Sequence, residues 1–234
     1  MNRANANSAG AHSTLVLVRH AHTEMAGRFC GTSDPPLSVR GRAQLGDLNR
    51  KLGAYPITHI FSSDLRRARQ TAESIAGSRG LRIEYLESLR ELAFGVWEGL
   101  DWNQVMARDP EYAQQWLDRY PSVPAPGGEY FEDFFQRVQY IMGAIAGRVE
   151  GGCAAVVTHA GVIRTFLGSV AQLENVALDL AQCDCASCWE LGCEGGRWYL
   201  PDNSGEAGTG APDRAKDRGK HGNDSVARSI DNGR

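Results

Sequence analysis

Thr14-Leu15-Val16-Leu17-Val18 runs directly into Arg19-His20. A short β-rich apolar run that stops at two chemically active side chains reads as a buried strand feeding a functional loop. The pattern recurs twice. Ile57 to Phe61 ends at Ser62-Ser63, with Arg66 and Arg67 just beyond, and Cys153 to Val157 ends at Thr158-His159. In parallel α/β sheets the carboxyl ends of strands line the ligand crevice. The spacing therefore gathers two histidines and several arginines in one concavity.

The segments between these strands are helical. Ser38 is a helix N-cap, Leu45, Leu48 and Leu52 follow at helical spacing, and Gly53 closes the helix. Asp64 can cap a second helix running to about Gly77. Leu81 to Leu86 is a third strand, residues 87 to 100 are loop, and weaker helix signals lie between 101 and 119. Phe131, Phe134, Val138, Ile141, Ile145 and Val149 recur every three or four residues and mark the clearest helix. A last helix is expected from about Gly161 to Ala171, and two closing strands near 185–191 and 197–200. Alternating strands and helices predict a three-layer α/β/α domain over residues 14–200, with a mostly parallel central sheet.

Residues 1–13 are polar and lack the apolar stretch of a secretory signal, so they read as a disordered lead. After Pro201 the chain is dominated by Gly, Asp, Asn, Arg and Lys, and residues 201–234 read as a disordered tail. No apolar run reaches the roughly 20 residues of a membrane helix. A net charge of −3 gives no electrostatic reason to expect nucleic acid or an anionic membrane as partner. Six cysteines without a signal peptide suit a reducing cytoplasm, where disulfides are not expected. Cys183, Cys185, Cys188 and Cys193 resemble zinc spacing only loosely; as residues of a closing strand, Cys183 and Cys185 would point to one side and be buried. Monomer and homodimer both stay open.

A cluster of arginines and histidines suits a phosphoryl group. The guanidinium fork binds phosphate oxygens in pairs, and a neutral imidazole can attack phosphorus. Neighbouring arginines oppose protonation of that imidazole and keep it nucleophilic.

Leu17-Val18-Arg19-His20-Ala21-His22-Thr23 resembles the "RHG" signature of the histidine phosphatase superfamily, whose other branch is the cofactor-dependent phosphoglycerate mutases. Four further segments resemble the superfamily in order. They are Gly27-Arg28-Phe29-Cys30-Gly31 with Asp34, Pro36-Leu37-Ser38 and Gly41; Ser62 to Ala72; Leu89 to Gly99; and Val157 to Arg164. The resemblance implies that His20 is the phosphorylated nucleophile, that Arg19, Arg67 and His159 hold the phosphoryl oxygens, and that Glu91 protonates the leaving oxygen. Thr23, Arg28, Cys30, Gly31 and Ala160 are implied to face the substrate, a small phosphate ester. It implies no metal and no cofactor, because the Arg and His groups already stabilise charge in the transition state. Arg66 and Arg69 compete with Arg67 for its role, helix phase being decisive, and Glu87 and Glu98 compete with Glu91. Alanine stands at 21 and 160 where the superfamily has glycine, a change tolerated if φ there is negative.

Within the superfamily, the 27–38 segment, Phe94-Gly95-x-Trp97-Glu98-Gly99, Trp116 and Pro124 to Glu129 are similar to α-ribazole phosphatases, which act in assembly of the cobalamin nucleotide loop. A broad-specificity phosphatase is the alternative. The mutase reading is disfavoured because Trp102 stands where mutases place a lysine, and residues 112–118 lack their paired arginines. A non-catalytic phospho-ligand binding module is the reading from a different class. The aromatic residues between 94 and 135 divide between core and a lid over an apolar part of the substrate.

Overall fold

The computed structural model describes residues 12–174 and 183–201. The expected lead and tail, apart from His12, Ser13 and Pro201, lie outside the described residues. The elements are β1 (His12–Arg19), α1 (Val39–Lys51), β2 (His59–Ser62), α2 (Arg66–Gly77), β3 (Ile83–Tyr85), α3 (Trp102–Arg108), α4 (Pro110–Arg119), α5 (Phe131–Arg148), β4 (Cys153–Thr158), α6 (Ala160–Glu174), β5 (Cys188–Glu194) and β6 (Arg197–Tyr199). They form one sheet in the order β3-β2-β4-β1-β5-β6. The first four strands by sequence run parallel, and β5 and β6 are antiparallel additions at one edge.

Side-chain alternation along β1 separates the layers. Leu15 and Leu17 face α5 and α6, packing with Phe134, Ile145, Ile163 and Phe166. Val16 and Val18 face the opposite way, towards Leu48 of α1 and Ala72 and Ile75 of α2. A period of two on the strands meets helices on both faces, as the alternation of elements predicts. A third apolar cluster stands apart, where Phe29 packs with Trp97, Val105, Ala113 and Trp116. The weak helical signal over 101–119 resolves into α3 and α4. Asp101 caps the first with a capping box, Asp109 caps the second, and Pro110 opens it.

The local expectations that fail do so through tertiary competition. Asp64 does not cap α2; its carboxylate is taken by Arg90, and Leu65 occupies the cap without a side-chain bond. Gly53 falls inside a single 3₁₀ turn that follows α1. The strand expected from 185 starts at Cys188, because residues 184–187 turn, with Ala186 at φ 60° and Ser187 N–H donating to Asp184 O at 3.2 Å. Cys183 and Cys185 therefore precede the strand and do not share its face.

Ser38 does cap α1, accepting from Gly41 N–H at 3.0 Å. Gly41 also lets α1 sit on the loop after His20: a Cβ there would lie 2.1 Å from the carbonyl oxygen of His22. Gly41→Ala should therefore destabilise the fold by about 1–3 kcal/mol through forced separation of helix and loop. Gly46 lies on the same helix with nothing within 4 Å of an added Cβ. Gly46→Ala should instead stabilise by about 0.5–1 kcal/mol. Urea unfolding of the two variants checks the contrast, and equal shifts would contradict this packing.

Candidate active site

The ends of three parallel strands are brought level by their pairing. Arg19 lies beside Thr158, and Ser62 beside Val157. Backbone bonds carry the alignment past the strands, with His20 N–H donating to Thr158 O and Ser63 N–H to Val157 O, both at 2.9 Å. His20 and His159 meet edge to face with ring centroids 5.1 Å apart.

The hydrogen bonds assign the tautomers. His20 Nδ1 lies 2.8 Å from Ala21 O. A carbonyl only accepts, so Nδ1 carries the proton and Nε2 keeps its lone pair. His159 Nδ1 accepts from Arg67 Nε at 3.2 Å, which puts its proton on Nε2, donated to Ser63 Oγ at 2.9 Å. Burial holds both rings well below the ordinary histidine value, and the charges of Arg67 and Arg19 push them the same way. Both are neutral imidazoles at neutral pH. Cys30, by contrast, is pushed up to about 11 by burial, so its sulfur stays a protonated thiol and a poor nucleophile.

A cavity of about 420 Å³ opens over His20. Its polar end carries Arg19, His20, Glu91 and Arg164, and its apolar end Met25, Phe29, Phe94, Trp116, Tyr120 and Phe131. Arg19 donates through Nη1 to Cys183 O, while its Nε is buried with no hydrogen-bond partner among the described residues. A buried, unpaired cationic donor beside a nucleophilic imidazole is a place made for an anion. The Glu91 carboxylate spans the opening of α6, accepting from Leu92 N–H and Gly161 N–H, each at 2.9 Å. A Cβ on Gly161 would lie 2.2 Å from Glu91 Oε1, so any side chain at 161 would displace the Glu91 carboxylate from this place. Alanine is accommodated at 160, and at 21, since neither residue has positive φ.

Of the residues expected to face substrate, Thr23, Arg28, Cys30 and Ala160 line the cavity, with Arg28 drawn towards Gly99 O at 2.8 Å and Gln104 Oε1 at 3.1 Å. Gly31 does not. It is pressed against Leu92 O and Glu98, where a Cβ would stand 2.1 Å from the former. Arg67 and His159 sit one layer behind the cavity wall. Arg67 is 1% exposed and donates to the carbonyls of Ser33, Cys30 and Gly31 as well as to His159. Arg66 and Arg69 are exposed, which settles which arginine turns inward. Among the rival acids, Glu87 is exposed. Glu98 is a structural clamp, accepting from the N–H groups of Gly31, Thr32, Ser33 and Phe94 and from the Ser33 hydroxyl. Burial opposes the charge of Glu98, but these donors outweigh it and its pKa lies below the ordinary carboxylate value. Ser63 stands where the end of an apolar run predicts a site residue, whereas the sequence carries no signal for Cys185 or Phe134 at the site, because nothing in their local pattern distinguishes them from core residues. Among the described residues no cluster of three or more His, Cys, Asp or Glu side chains is set to hold a metal.

The family model of the histidine phosphatase superfamily (branch 1) matches residues 15–202. The chain belongs to the histidine phosphatase superfamily. It is 35% identical over 164 residues to the bifunctional protein Rv2228c of Mycobacterium tuberculosis, a match covering 68% of this chain but 44% of that protein. It is 30% identical to phosphoserine phosphatase 1 of Hydrogenobacter thermophilus, covering 77% of this chain and 82% of the relative. It is 27% identical to adenosylcobalamin/alpha-ribazole phosphatase of Salmonella typhimurium, covering 80% and 89%. The solved structure of Bacillus stearothermophilus YhfR superposes with a TM-score of 0.71 at 30% identity, covering 82% of this chain and 96% of that one. The superfamily fold agrees with the three-layer architecture and the mostly parallel sheet.

The two buried histidines make stability depend on pH. Unfolded, each ring takes a proton near the ordinary value of 6.5; folded, each refuses it until well below. A depressed folded pKa means the contribution is whole above the unfolded value and is lost as pH falls beneath it. The urea midpoint should therefore hold above about pH 6.5 and decline towards about pH 5. A profile flat across that window would show that these rings are not buried as neutral groups.

Proposed function

We propose that this protein is a phosphomonoesterase working through a phosphohistidine on His20, with α-ribazole 5′-phosphate as the substrate that best suits its cavity. The observation that carries the reading is the buried, neutral His20 with Nε2 unprotonated, set beside the unpaired Nε of Arg19 and across from Glu91. His20 Nε2 attacks phosphorus, and an N–P bond forms as the ester P–O bond breaks in line. The leaving oxygen takes its proton from Glu91. Water then attacks the phosphohistidine, gives a proton back to Glu91, and releases phosphate with His20 restored. Arg19 stabilises charge on the transferring group. Burial, reinforced by the positive charges of Arg67 and Arg19, keeps His20 unprotonated between turnovers.

Two features support the choice of ester. The wall formed by Met25, Phe29, Phe94, Trp116, Tyr120 and Phe131 suits a flat apolar ring on the substrate. The Salmonella relative bears the name of an alpha-ribazole phosphatase. The mutase alternative lacks its groups here. Trp102 packs in the third apolar cluster, and the described stretch 112–118 on α4 contributes no cation. A broad-specificity phosphatase is the second reading, since the apolar end suits aromatic esters in general. The six free thiols accord with a reducing cytoplasm, and among the described residues no helix is long and apolar enough to cross a membrane.

Phosphate release from α-ribazole 5′-phosphate, 3-phosphoglycerate, ribose 5-phosphate and p-nitrophenyl phosphate tests the proposal. The expected order of kcat/KM puts α-ribazole 5′-phosphate first and 3-phosphoglycerate last, with His20→Ala at least about 1,000-fold slower on every ester. Turnover of the nitrophenyl ester alone would keep the chemistry and reject the substrate. No turnover at any pH would leave a phospho-ligand binding module.

A further inference from the structure

The loop that carries Glu91 follows a single 3₁₀ turn (Glu87–Leu89) and has no helix or strand over residues 90–94, yet its backbone is held on almost every side by one side chain of α5. Arg137 Nη1 donates to Ser88 O at 3.1 Å and to Arg90 O at 2.7 Å, and Nη2 donates to Glu91 O at 3.1 Å. Its Nε and Nη2 meet the two oxygens of Glu129 at 2.7 and 2.8 Å. These bonds use all five N–H groups of the guanidinium. Glu129 in turn touches the other end of the same loop: its backbone N–H donates to Ala93 O at 3.0 Å, and its Oε2 accepts from Ala93 N–H at 3.3 Å. The carbonyls of Ser88, Arg90 and Glu91 itself, and the N–H of Ala93 beyond it, are thus referred to a single ion pair. Phe134, one turn back on α5, holds the guanidinium plane against its ring at 4.6 Å.

Neither residue lines the cavity. A rigid fork is required for this geometry, since a lysine ammonium cannot reach three carbonyls and a carboxylate together. We infer that Arg137, braced by Glu129, is a positioning residue for proton delivery, fixing the backbone from which Glu91 reaches the leaving oxygen. The inference rests on the phosphatase reading above and goes beyond it in naming what holds the acid. A general acid must lie within hydrogen-bond reach of the oxygen it protonates, and displacement of the loop by an ångström removes much of its benefit.

The test separates proton delivery from every other function of the site by the leaving group. A dinitrophenolate departs without a proton, whereas a sugar alkoxide needs one. The rate constant to follow is kcat/KM, which reports transfer to His20 and is blind to later hydrolysis of the phosphohistidine. For Arg137→Lys and for Glu129→Gln, kcat/KM on ribose 5-phosphate should fall by about 10- to 100-fold. On 2,4-dinitrophenyl phosphate it should change by less than about threefold, which also shows that the variants fold. Glu91→Gln should give the same selectivity, and adding Arg137→Lys to it should cost little more. Equal losses on both esters would overturn the inference, because Arg137 would then support the whole site and not the acid. Unchanged rates on both would overturn it as well. A wild type inert to both esters would remove the phosphatase reading, and this inference with it.

Discussion

The guanidinium of Arg67 is buried beneath the crevice, and its solvation among the described residues comes from peptide carbonyls and one imidazole. A buried charge is costly unless its donors are met. Here the loop over residues 30–33 wraps it with three carbonyls, and the N–H side of the same loop is turned to the carboxylate of Glu98. The peptide groups of that loop lie polarised between a cation and an anion that do not touch. This arrangement fixes one wall of the cavity. It also bonds Arg67 to Nδ1 of His159 and adds its charge to the burial that keeps His20 neutral. Removal of the guanidinium would therefore unsettle a loop, a tautomer and a protonation state together.

The cavity built on this foundation has two chemical ends. At one, the neutral imidazole of His20, Arg19 and the carboxyl group of Glu91 line the same wall. At the other, aromatic side chains from the 29 and 94 loops, α4 and the start of α5 form a wall continuous with the third apolar cluster. Arg19 and His20 come from a strand terminus whose position the sheet fixes, while Glu91 and much of the aromatic end lie on the excursion between β3 and α5, with Met25 and Phe29 on the loop after β1.

Much of the reactive end is legible in the amino-acid sequence. Apolar runs stopping at Arg19-His20, Ser62-Ser63 and Thr158-His159 need only the rule that parallel strands deliver their carboxyl ends to one side, and the register of β1, β2 and β4 bears it out. Local rules fail where a distant partner outcompetes a near one. Asp64 sits where a cap belongs, but the bidentate bond to Arg90 holds its carboxylate instead. Arg137 looks like a solvent-facing arginine of an amphipathic helix, and only the return of the acid loop across α5 turns it into a five-bond anchor.

The order of layers and the strand ends are written in the chain, because hydrophobic period and motif spacing are local properties. Folding in three dimensions chose which of three neighbouring arginines turns inward, which of three glutamates faces the cavity, and which nitrogen of each histidine carries its proton. Most of those choices depend on a hydrogen-bond partner far along the chain, such as Cys30 for Arg67, Gly161 for Glu91 and Ser63 for His159. No window of local sequence contains such a partner.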